Sequence, residues 1–195
     1  MSAIALFRAG LGLSLALAVA GCGINAVPTL EERAKSAWSE VQNQYQRRAD
    51  LIPNLVETVK GYATQEREVL VQVTEARARA SQVKVDASTV TDPQKFQEYQ
   101  QAQNQLSGAL GRLLVTVERY PELKSNANFL ALQSQLEGTE NRITVERMRY
   151  SEAVRDYNTR IRLFPGSIVA SLRGFKEKAY FEATPGAQEA PKVKF

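Results

Sequence analysis

Six large side chains, Phe129, Leu136, Ile143, Tyr150, Tyr157 and Phe164, fall seven residues apart without a break. Seven residues make two turns of an α-helix, so all six share one face. A strand would scatter them over both faces. A helix of that length cannot leave such a stripe in water, so other helices must cover it.

Two more segments supply matching faces. Residues 29–80 carry Trp38, Val41, Tyr45, Arg48, Ile52, Leu55, Val59, Tyr62, Glu66, Val69, Val73, Ala76 and Ala80 at spacings of three and four. Thr29 and Glu32 fit a capping box at the start of this helix. Pro53 lies inside it and is expected to kink it. Residues 83–92 read as a loop. Asp92-Pro93 reads as an N-cap followed by proline at the first helical position. The second helix presents Phe96, Tyr99, Gln103, Leu106, Leu110, Leu113, Val117 and Tyr120, and Pro121 ends or breaks it. The third starts near Asn126 and stops at Pro165-Gly166. A short apolar helix follows near residues 167–175.

These elements predict an all-α fold, an antiparallel up-and-down bundle of long amphipathic helices, three long and one short. At 1.5 Å per residue the first helix would be roughly 80 Å long and the second roughly 40 Å. The part of helix one before Pro53 then needs another cover. Three are available: a fold-back at Pro53, the C-terminal tail, or a second chain, which would make the protein a homo-oligomer.

The N-terminus points to export. Arg8 precedes an apolar run over residues 9–20, too short to span a bilayer and suited to a signal-peptide core. It ends in Val19-Ala20-Gly21-Cys22, which looks like a lipobox. Small residues admit the backbone to a protease cleft, and the thiol of Cys22 accepts a diacylglycerol thioether. The freed amine accepts a further acyl chain, such as palmitate, and more than one chain is needed for stable anchoring. The expected organisation is a signal peptide over residues 1–21, a short tether over 22–28, a helical domain over 29–179 and an extended tail over 180–195. The expected location is the cell membrane or outer membrane, lipid-anchored at Cys22, with the domain on the exported side. Gly23 in place of an aspartate leans towards the outer membrane of a Gram-negative host.

Composition narrows the chemistry. The chain has no histidine, which removes the commonest general base and metal ligand. Its one cysteine excludes an intrachain disulfide. The net charge of +4 is spread among acids, without the like-charged runs of a nucleic-acid binder. Neither a cofactor nor a bound metal is expected: Glu137, Glu140 and Glu146 lack the Glu-x-x-His pairs of a bundle di-metal site. Arg48, Glu66, Glu140 and Arg147 lie where the seams should be apolar. They form either a paired layer that fixes helix register or the lining of a ligand groove. Arg47-Arg48-Ala49-Asp50 reads as pairing within and between helices.

Several longer motifs carry a resemblance. Residues 47–56 (Arg-Arg-Ala-Asp-Leu-Ile-Pro-Asn-Leu-Val), Val59-Lys60-Gly61-Tyr62-Ala63 and Glu66 are similar to the LemA family. So are Tyr120-Pro121-Glu122-Leu123-Lys124, Thr139-Glu140-Asn141-Arg142-Ile143, Tyr157-Asn158-Thr159-Arg160-Ile161 and the closing Pro191-Lys192-Val193-Lys194-Phe195. Gln65 stands where many relatives have histidine, and Ser151 where asparagine is common. The resemblance implies a LemA-like four-helix bundle at the cell envelope and carries no established reaction. The expected role is a non-enzymatic scaffold or protein-interaction module that binds an envelope protein. The alternatives are a ligand-binding or enzymatic bundle with a polar groove, and a mechanical spacer between membrane and envelope.

Overall fold

The computed structural model describes residues 25–86 and 88–182. Within them the chain forms six helices: α1 (Ala26–Tyr62), α2 (Arg67–Gln82), α3 (Pro93–Val117), α4 (Pro121–Lys124), α5 (Ala127–Arg162) and α6 (Gly166–Arg173). The fold is all-α.

Local chemistry explains most of the boundaries. The Asp92 carboxylate accepts from the Gln94 and Lys95 amides at 3.0 and 3.3 Å, with Pro93 at the first helical position. Asn126 caps α5 by accepting from Phe129 N at 3.0 Å. α6 ends at Gly174, whose φ of 70° is a left-handed cap that glycine adopts without strain. The capping box expected at Thr29 does not form. α1 already begins at Ala26, and the Thr29 hydroxyl donates back to the Asn25 carbonyl at 2.8 Å.

The main correction concerns the first long helix. It runs through Pro53, whose ring is exposed on the solvent side, and breaks instead at residues 63–66. There the Ala63 amide donates to Val59 O and the Glu66 amide to Ala63 O, closing turns between α1 and α2. The break resets the seam: Ala63 and Leu70 are buried, while Tyr62 is exposed.

Contacts give the direction of each helix. Arg33 meets Asp156 at 3.5 Å, Trp38 meets Tyr150, Arg48 meets Glu140, and the Tyr62 hydroxyl accepts from Asn126 at 2.9 Å. Positions rising along α1 meet positions falling along α5, so the two run in opposite directions. α2 doubles back, and Arg77 Nε donates to Ala49 O of α1 at 2.8 Å. α3 follows α1: Trp38 stacks near Phe96 and Tyr99, and Arg48 reaches Gln103 and Ser107.

The core has three sections along this axis. One, around Leu55, Val59, Leu106, Leu113, Leu123 and Phe129, fills the end where α1 turns into α2. An aromatic section follows, with Trp38 5.3–5.7 Å from the rings of Phe96, Tyr99 and Tyr150. The third joins Val27, Tyr157, Ile161 and Ala170 at the start of α1. The apolar stripe of α1 before Pro53 is therefore covered within the chain, by α3, α5, α6 and the segment after Gly174. Phe164, the sixth member of the sevenfold series, lies beyond the end of α5 and is exposed.

Candidate functional site

The polar seam residues do not share one groove. Arg48 is 1 % exposed and sits in the middle of α1. Its Nη1 donates to Ser107 Oγ at 2.6 Å and to Glu140 Oε1 at 2.9 Å. Its Nη2 donates to the Gln103 carbonyl at 3.2 Å and to Gln103 Oε1 at 2.5 Å. The guanidinium thus ties α1 to α3 and α5 at one level, and it stacks 5.0 Å from the Tyr45 ring centre. Desolvation raises the Tyr45 phenol above its ordinary value, which keeps it neutral beside this charge.

Glu66 lies far from that level, in the α1–α2 break. It accepts from Arg119 Nη2 at 2.9 Å and from the Tyr120 hydroxyl at 2.8 Å, pinning the break to the end of α3. This bond raises the Tyr120 phenol above its ordinary value, because ionisation would set two negative oxygens together. Arg147 takes a third position. Its guanidinium stacks 4.4 Å from the Phe181 ring centre, and its Nη2 approaches Glu182 O at 3.4 Å. The three acids considered for a metal also diverge: Glu137 accepts from Gln133, Glu140 from Arg48 and Glu146 from Arg149. Asp50 accepts from Gln46 within α1 at 2.7 Å.

The segment at 175–182 is strapped onto the helices by side-chain amides that the sequence reading, which left the C-terminal tail as one possible cover, did not single out. Asn158 Oδ1 accepts from Lys178 N at 3.0 Å, while its Nδ2 donates to Lys178 O at 2.9 Å. Gln100 repeats the pattern on Glu182, at 3.1 and 2.7 Å. Each side-chain amide thereby satisfies both polar groups of one residue's backbone, as a neighbouring strand would. The Tyr150 and Tyr157 hydroxyls donate to Ala179 O and Lys176 O at 3.1 and 3.0 Å, and Ala179 N donates to Val90 O at 2.7 Å. The buried Lys178 ammonium lies 3.5 Å from Glu31 and 4.9 Å from the Tyr157 ring centre. Burial lowers its pKa, with Glu31 acting in the opposite sense. Phe175, Ala179 and Phe181 among charged residues were the available signal, but only the matching amides on α3 and α5 give it meaning.

A cleft of about 510 Å³ borders this strap, lined by Phe96, Gln100, Asn158, Arg162 and Lys178 among others. Several of its polar groups, Gln100, Asn158 and Arg162 among them, hold the strap. Among the described residues no helix is long and apolar enough to cross a membrane. Cys22 and residues 1–21 lie outside the described residues.

Fold and seam define an all-helical protein of long amphipathic helices, locked across its middle by a buried arginine. The sequence pattern of the LemA family matches residues 37–195, and the chain belongs to that family. It is 24% identical over 177 residues to magnetosome protein MamQ 2 of Paramagnetospirillum magneticum, covering 83% of this chain and 65% of that protein. It is 25% identical over 177 residues to magnetosome protein MamQ of Magnetospirillum gryphiswaldense, with the same coverage. It is also 23% identical to protein LemA of Metamycoplasma hominis, over 79% of this chain and 66% of that one. The chain thus spans about 65% of the length of the MamQ relatives.

Proposed function

We propose that this protein is an exported, lipid-anchored scaffold of the cell envelope, built as an up-and-down bundle of LemA type and acting by contact rather than by catalysis. The observation that carries the reading is the seam. Arg48, the buried charge best placed to serve a ligand, is committed to Glu140, Gln103 and Ser107, and Glu66 is committed to Arg119 and Tyr120. Such pairing suits a layer that fixes helix register. What remains available is outer surface, presented by a body stitched together by its own C-terminal strap. The two MamQ relatives carry the name of a cell structure, the magnetosome, and not of a reaction. The lipobox at Val19-Ala20-Gly21-Cys22 supports the anchor.

Photo-crosslinking in intact cells from exposed positions such as Met148 tests the scaffold. Discrete adducts with envelope proteins are expected, and a protein that captures no neighbour from any face contradicts it. A spacer role draws support from helix length: the 37 residues of α1 span about 55 Å. Exchange of the bundle for an unrelated helical rod of equal length separates the two, because only a spacer survives it.

A further inference from the structure

The corner between α5 and α6 is apolar on two sides. Its inner side packs Gly166 and Ala170 beside Val27, Tyr157 and Ile161. Its outer side carries Phe164, Ile168 and Leu172, four residues apart and 79 %, 52 % and 83 % exposed, next to the exposed Leu163. A helix apolar all round is stable where both sides are covered, and a contiguous exposed apolar patch marks a protein or membrane contact. The turn that displays it is tight. A Cβ on Gly166 would meet Arg160 O at 2.1 Å, so the chain closes directly onto the end of α5.

Two further facts select the occupant. Arg173 and Lys176 stand at and just past the end of α6 with no aspartate or glutamate over residues 157–176, a bias that suits anionic headgroups, while Arg162 is held by Glu177. The same corner receives the start of α1, where Val27 is buried in one cluster with Ala170. Cys22 lies three residues before Asn25, a span of about 10 Å even when fully extended. A bilayer holding Cys22 would therefore face this corner.

We propose that the α5–α6 corner enters the bilayer interface, with Leu163, Phe164, Ile168 and Leu172 among the upper acyl chains and Arg173 and Lys176 at headgroup level. The inference rests on the lipid-anchor reading. The tether makes the second contact intramolecular, so a small patch suffices to hold the body in one orientation.

The test uses the full chain, processed in its host and reconstituted into vesicles of phosphatidylethanolamine and phosphatidylglycerol. Phe164→Cys and Leu172→Cys carry a polarity-sensitive thiol dye, and Val115→Cys, exposed near the far end of α3, is the reference. Dyes at 164 and 172 are expected to emit to the blue and to be quenched several-fold more than the reference by lipids brominated along their chains. Dyes as wet and as unquenched as at 115 overturn the inference alone. A blue shift without lipid quenching also overturns it, because a second copy of the chain then covers the patch. A protein that does not float with vesicles overturns both the corner and the anchor. A Cys22→Ser chain made to begin at residue 22 that still floats with a quenched dye at 164 upholds the corner without the anchor.

Discussion

Arg48 and Glu140 form an ion pair of unequal burial: the nitrogen and oxygen are 2.9 Å apart, with the arginine side chain 1 % exposed and the carboxylate 37 %. The two partners therefore differ in what their loss leaves behind. Glu140→Ala strands a buried cation and is expected to cost about 3 kcal/mol. Arg48→Met leaves a carboxylate that water reaches but takes the donors from the buried Gln103 side chain and carbonyl and from Ser107, and is expected to cost more, about 4 kcal/mol. Urea unfolding of both variants measures the difference, and equal losses would contradict the asymmetry.

The strap depends on two amides, each of which serves both the N–H and the C=O of one residue's backbone. Asn158→Ala leaves both backbone groups of Lys178 without partners, at about 1–3 kcal/mol, whereas Gln100→Ala frees the Glu182 amide while Arg147 still reaches the Glu182 carbonyl, at the low end of that range. Hydrogen exchange at the Lys178 and Glu182 amides is expected to accelerate in the matching variant first, ahead of the helices. Uniform acceleration over the whole chain would mean that the strap is not a separate unit.

Much of this was legible in the sequence, for a physical reason. The seams of α1, α3 and α5 follow helical spacing, and Trp38, Val41, Tyr45, Ile52, Leu55, Leu106, Leu113, Ile143 and Tyr150 are all buried where that spacing puts them. Arg48 and Glu140 also show as charges on apolar stripes. The α1–α2 break was not legible, because an exposed proline looks like a stronger breaker than Gly61 and Thr64. Proline costs a hydrogen bond wherever it stands, yet on the solvent side of a long packed helix it is tolerated. The strap was hidden because its partners are single amides 20 and 82 residues away. Glu66 follows Arg48 by 18 residues and Arg147 follows Glu140 by seven, so helix rise alone sets both apart from the Arg48 level.

Alkaline pH should loosen the aromatic section. Burial raises the phenols of Tyr45, Tyr99 and Tyr150 above the ordinary 10.0 and pushes Tyr157 up to about 12. The fold holds the neutral form, so this stability is complete below pH 10 and is lost as pH rises through the folded values. Lys178 acts in the opposite sense, since burial lowers its pKa and its release of a proton favours the fold. The tyrosines outnumber it. Phenolate absorbance and helical circular dichroism followed together should change in one step well above pH 10. Smooth titration with helicity intact would show these hydroxyls to be open to water.

Gly166 is needed for the corner. Gly166→Ala drives a methyl into the Arg160 carbonyl, and the backbone there must move. A loss of about 1–3 kcal/mol is expected, together with altered exchange at α6 and at Val27, whose cluster α6 completes. A neutral effect would show that α6 is held loosely.

The account turns on Cys22. Mass spectrometry of the N-terminal peptide, from protein extracted from its own membranes, reads it directly. The expected peptide begins at Cys22, with a diacylglyceryl thioether on the sulfur. A peptide that retains residues before 22, or one that begins with an unmodified Cys22, would contradict a lipid-anchored scaffold.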